Sequence, residues 1–96
     1  MRVGRVSIVV RYNCIRRDLY ELETGEPFPD AVRGYFDSLA PLRGGRTLFV
    51  LDVAGLHRLT VAMPTGRIVL MPKLATERAG QRRAALALAA DLDRLL

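Results

Sequence analysis

The sequence predicts an α+β two-layer sandwich, a mainly antiparallel four-stranded sheet with helices on one face, in the order β-(α)-α-β-β-β-α. Three observations carry this. Apolar residues alternate with polar ones near the N-terminus and through three consecutive stretches between residues 46 and 72, the period of half-buried strands. Three other segments place apolar residues at helical spacing, and breakers such as Gly44-Gly45 and Pro64-Thr65-Gly66 divide one pattern from the next. Helices segregated to one face of an antiparallel sheet satisfy both periods at once. Ninety-six residues suffice for one hydrophobic core and not for two, so residues 1–96 are expected to form a single domain.

Val6, Ile8, Val10 and Tyr12 fall on one side of the first strand and Arg5, Ser7, Val9 and Arg11 on the other. Asn13 is a residue type able to cap a helix, and Ile15, Leu19 and Leu22 recur at i, i+4 and i+7, so residues 14–23 are expected to form a short helix. Leu19–Thr24 also fits an edge strand. Thr24-Gly25-Glu26-Pro27-Phe28-Pro29 breaks the chain. Asp30 then caps a helix with the apolar face Val32, Tyr35, Phe36 and Leu39, stopped by Pro41.

From Arg46 the period becomes two. Thr47, Phe49, Leu51 and Val53 share a face, Leu59, Val61 and Met63 repeat it after a short connection at Ala54-Gly55, and Ile68 and Leu70 continue it beyond a turn in which Gly66 takes positive φ. This is a three-stranded meander. Thr76 is the expected cap of a last helix, with Glu77 against its N-terminal dipole and Ala85, Leu88, Leu92 and Leu95 on one stripe.

Half of the residues are hydrophobic and a quarter charged, which is a globular composition rather than a disordered one. Cys14 is the lone cysteine, so no disulfide forms within the chain and a reducing, cytoplasmic setting is expected. The N-terminal apolar stretch is interrupted by Arg11, which argues against a signal peptide, and no run reaches the roughly 18 apolar residues of a membrane span. Net charge is +5, yet it is arranged in blocks: residues 1–17 hold five arginines and no acid, residues 18–37 hold six acids against Arg33, and residues 38–83 hold eight bases against Asp52 and Glu77. Fourteen of the fifteen bases are arginine. A guanidinium fork suits phosphate, but Ala, Gly, Val and Leu are abundant alongside it, the signature of GC-rich coding.

With one face of the sheet covered, the other displays Leu48, Val50, Val69 and Met71 with basic residues toward the strand ends, a composition that suits a protein interface. Leu86, Ala89 and Ala90 broaden the apolar sector of the terminal helix. The leading expectation is therefore a small non-catalytic interaction module that pairs with itself or another protein through Leu48, Val50, Val69 and Met71, or through Leu86 and Ala90. The alternative is a nucleic-acid-binding domain using Arg5, Arg11, Arg58, Arg67 and Lys73 on phosphates. It ranks second because single-strand readers stack bases on exposed aromatics, and the free face is expected to offer none.

No catalytic constellation is found and no cofactor or metal is expected. The strand ending in Asp52-Val53-Ala54-Gly55 resembles the Asp-x-x-Gly of GTP-binding proteins, but the glycine-rich loop with Lys-Ser/Thr that such proteins require is missing. His57, the single histidine, is expected in a turn, and no nucleophile-elbow sequence accompanies it with Ser7, Ser38 or Asp52. Cys14 lies near Arg16 and Arg17, which would favour its thiolate, although burial as a small apolar side chain is the simpler expectation. Glu21, Glu23 and Glu26 match no metal-loop spacing and read as a solvated acidic segment.

Overall fold

The computed structural model describes residues 1–12, 18–54, 57–73 and 78–96. The expected α+β class is observed, with a larger sheet than the sequence indicates. The strands are β1 (Arg2–Val3), β2 (Val6–Tyr12), β3 (Asp18–Glu23), β4 (Arg43–Gly44), β5 (Leu48–Val53), β6 (His57–Ala62) and β7 (Arg67–Pro72), and the helices are α1 (Asp30–Leu39) and α2 (Arg78–Leu95). All seven strands form one antiparallel sheet in the order β1-β2-β3-β7-β6-β5-β4.

The expected four strands become seven for two reasons. β1 and β4 are two residues long, too short to carry any periodicity. Of the segment expected to be a helix over 14–23, residues 14–17 lie outside the described residues and residues 18–23 form the strand β3 instead. In β3, Tyr20 and Leu22 are buried beneath the helices while Glu21 and Glu23 face the other way. Leu19 and Leu22 therefore lie on opposite faces, and their helical spacing was coincidental.

β1 and β2 are joined by the two-residue turn Gly4-Arg5, with Gly4 at φ +56°, a left-handed value a glycine adopts without steric cost. Arg5 thus belongs to a turn and not to the free sheet face where alternation had placed it. α1 starts at Asp30 with Pro29 at the cap position, so Asp30 is a first-turn acid rather than the expected cap. The expected cap at Thr76 and its neighbour Glu77 lie outside the described residues.

The covered face matches the alternation: Val6 and Ile8, Tyr20 and Leu22, Ile68 and Leu70, Leu59 and Val61, Phe49 and Leu51 pack beneath Val32 and Phe36 of α1 and Ala85, Leu88, Ala89 and Leu92 of α2. α1 lies toward β5, where the Phe36 and Phe49 rings meet edge to face at 6.2 Å and the Arg33 guanidinium sits over Phe49. α2 spans β1 to β3 and is tied to α1 by a 2.8 Å hydrogen bond from the Tyr35 hydroxyl to Asp91. The loop after β3 is fixed to the β6–β7 turn, with Thr24 N–H donating to the Gly66 carbonyl and Phe28 N–H to that of Met63. No helix among the described residues is long and apolar enough to cross a membrane.

Candidate protein-interaction face

Both helices cover one side of the sheet, so the side chains of opposite parity form a second, uncovered face. Strand register lays them out in rows. One row runs Val9, Glu21, Val69, Thr60, Val50 and Arg43, and the next runs Ser7, Glu23, Arg67, Ala62 and Leu48. On the other side of the first row, Arg11 faces Leu19, and Met71 faces Arg58, which faces Asp52.

Leu48 is 57 % exposed, Val9 39 % and Met71 38 %, while Val50 and Val69 are half-buried. The four candidate residues Leu48, Val50, Val69 and Met71 do share this face. They do not form one contiguous patch, because β6 lies between β5 and β7 and inserts Thr60 between Val50 and Val69. The result is two aliphatic pairs flanking a strip of Arg58, Thr60 and Ala62.

Two acids of this face, Glu21 and Asp52, are each held by two arginines. Glu21 Oε2 is 3.0 Å from Arg11 Nε and 2.9 Å from a terminal nitrogen of Arg67, and the carboxylate side chain is only 12 % exposed between them. Asp52 is 2.5 Å from Arg43 and 2.9 Å from Arg58. The Arg11 guanidinium holds the Glu21 carboxyl below its ordinary pKa against the opposing effect of burial, and Arg67 adds to it. Arg58, again opposed by desolvation, does the same for Asp52, with Arg43 and Lys73 contributing through space.

Of the alternative phosphate set, Arg11, Arg58 and Arg67 are engaged in these pairs. Arg5 instead donates to the Leu96 carbonyl at 3.0 Å, on the far side of the sheet edge, and Lys73 follows β7 beside Asp52. The structure does not gather the five into one cluster. On α2, Leu86 packs partly into the core and Ala90 is exposed, so the helix offers little apolar surface beyond what its own sheet covers.

His57 is the first residue of β6 and not a turn residue. It is buried on the covered face opposite Val53 and Pro72, and burial lowers its pKa. Asp52 and Ser7 project from the opposite face and Ser38 hydrogen-bonds to Tyr35 within α1, so a Ser-His-Asp assembly is not formed by these residues. Gly55 of the Asp-x-x-Gly segment and Cys14, with Arg16 and Arg17, lie outside the described residues. Among the described residues no three His, Asp or Glu side chains group as metal ligands.

Glu21, Glu23, Leu19 and Arg43 are members of the face that sequence reasoning missed. The signal for the first three was present as the strand-like alternation Leu-Tyr-Glu-Leu-Glu, in which the acids have parity opposite to Tyr20 and Leu22. No family model, curated protein or solved structure matches the chain.

Proposed function

We propose that the protein is a small non-catalytic interaction module that pairs with a second copy of itself through the free sheet face. The uncovered face carries this reading: exposed aliphatic side chains lie there beside Glu21 and Asp52, two of its acids, each already neutralised by arginines of the same chain. Glu21 and Asp52 can be dried without being stranded, the step that otherwise makes burial of charge costly, while Glu23, nearer the strand end, stays at the rim. Six-residue strands rise about 20 Å and seven strands at about 4.8 Å spacing span about 29 Å, so the face offers on the order of 600 Å2 per copy, near the lower limit of a standard stable interface.

Light scattering after size exclusion tests the proposal. The expected result is a dimer that persists or tightens as salt rises, because added salt screens the residual positive charge of the two faces and leaves the apolar contribution intact. Val69→Glu and Leu48→Glu should each give a monomer with unchanged circular dichroism. Wild-type protein that remains monomeric at every concentration overturns the proposal. Phosphate binding through Arg5, Arg11, Arg58, Arg67 and Lys73 predicts the opposite salt response, with nucleic acid retained at low salt and released at high salt.

A further inference from the structure

The outer edge of the sheet at β2 is only half used. Ile8 N–H donates to the Met1 carbonyl at 2.8 Å and the Ile8 carbonyl accepts from the Met1 nitrogen at 3.2 Å, so the even-numbered residues of β2 turn their backbone groups outward. Pairing with β1 ends there, at Val6 and Ser7 in register and Ile8 through Met1. Val10 and Tyr12 continue the same parity, and no strand among the described residues lies beyond them. Most sheet edges are short, twisted or covered. This one is β-branched and apolar, Ile8-Val9-Val10, and it opens onto a groove of about 710 Å3 between β2 and the start of α2, lined by Met1, Ile8, Val10, Tyr20, Ala79 and Arg82.

We propose that this groove accepts an extended, acidic segment of a partner protein, which adds as a strand along β2 from Val9 to Tyr12. Outward backbone N–H and C=O groups select the occupant's conformation, since only another extended chain satisfies them in series. Charge selects its composition. A side chain of the added strand that points to the helix side lies over Ala79 within reach of the exposed Arg82, whose contact in the structure is with the Met1 sulfur at 3.9 Å. A second copy pairing β2 with β2 so that Val10 meets Tyr12 would set Arg11 opposite its own image, and like charges across a strand pair are unfavourable.

The probe is an end-blocked peptide of alternating glutamate and valine titrated into isotope-labelled protein. Amide shifts are expected at Val10 and around Arg82, with slowed hydrogen exchange at the Val10 amide. A version with proline at alternate positions, which lacks the N–H donors of one edge, should not bind. Arg82→Glu, an exposed helix substitution that leaves the fold intact, should weaken the acidic peptide at least tenfold, about 1.4 kcal/mol, and favour the lysine-valine counterpart. No binding near 1 mM, equal binding of the lysine peptide, or shifts confined to Val50 and Val69 would overturn the proposal. Because this edge and the free sheet face share no tested residue, loss of the dimer by Val69→Glu leaves the peptide result independent.

Discussion

Replacing Glu21 with glutamine separates the cost of two ion pairs within one chain from their cost inside an interface. The side chain keeps its shape and loses its charge, so Arg11 and Arg67, at 3.0 and 2.9 Å, lose their anion without a cavity being made. In the monomer both guanidiniums remain about half exposed, at 61 and 46 %. Exposed pairs are worth about 0.2–1 kcal/mol each, so the isolated domain should lose about 1 kcal/mol and some 4–8 °C in Tm. Once the face is covered by a second copy, water can no longer solvate the orphaned cations. Removing one partner of a buried pair then costs about 2–5 kcal/mol at each of the two copies of the site, weakening the dimer by roughly a thousandfold or more. Sedimentation equilibrium gives the dissociation constant, and denaturant unfolding at concentrations below it gives the monomer stability. A dissociation constant within about threefold of wild type, together with the expected loss of monomer stability, would refute the burial of this face. The wild-type pair also has a pH signature. The folded pKa of Glu21 is depressed below 4.5, so its stabilisation is complete above that value and is lost as pH falls through the lower folded value, a segment of acid sensitivity the variant should lack.

Three further outcomes are expected. Phe36→Ala, at a fully buried site against Phe49, should cost about 3–5 kcal/mol, read as a fall in the denaturant midpoint, and a double-mutant cycle with Phe49→Leu should show about 0.5–1.5 kcal/mol of coupling beyond lost area. Burial depresses the His57 pKa, so the unfolded chain binds the proton more readily and stability should fall as pH drops below about 6.5, by at most about 1.4 kcal/mol per pH unit; His57→Gln should flatten that slope in denaturant titrations across pH 5–7. Gly66→Ala should destabilise by well over about 1 kcal/mol, because φ is +61° and the new Cβ would lie 1.9 Å from the Glu26 carbonyl, whereas Gly25→Ala, at φ +76° in open space, should cost only the backbone strain; thermal melts of the two variants compare them directly.

The covered half of the protein was legible because burial writes parity into sequence. Phe49 and Leu51, Leu59 and Val61, Ile68 and Leu70 each had to alternate to reach one core, and Val32 and Phe36 had to recur at helical spacing to meet them. The segment 18–23 misled because two leucines on opposite faces mimic a helical stripe when only apolar residues are counted; counting Tyr20 with Leu22 and setting the two glutamates apart recovers the strand. β1 and β4 hold too few residues to show any period. The layout of the free face was hidden for another reason. Which residues adjoin there depends on strand order, and nothing local to β3 or β7 states that they are neighbours. The separation of Val50 from Val69 by Thr60 and the meeting of Glu21 with Arg67 both follow from that order.

The seam between β3 and β7 also divides the sheet into two parts with different histories. β1, β2 and β3 are successive in the chain, as are β4, β5, β6 and β7, so each set can zip from its neighbour with short loop closures. The seam alone requires Tyr20 to find Leu70, fifty residues away, with α1 and a whole meander between them. The entropy of closing that large loop is offset only when Tyr20, Leu22, Ile68 and Leu70 all enter the core together. Joining the two ribbons is thus the pairing that carries the largest loop-closure cost in this sheet, and Glu21 and Arg67, which bridge the join, meet only where the two ribbons have become one.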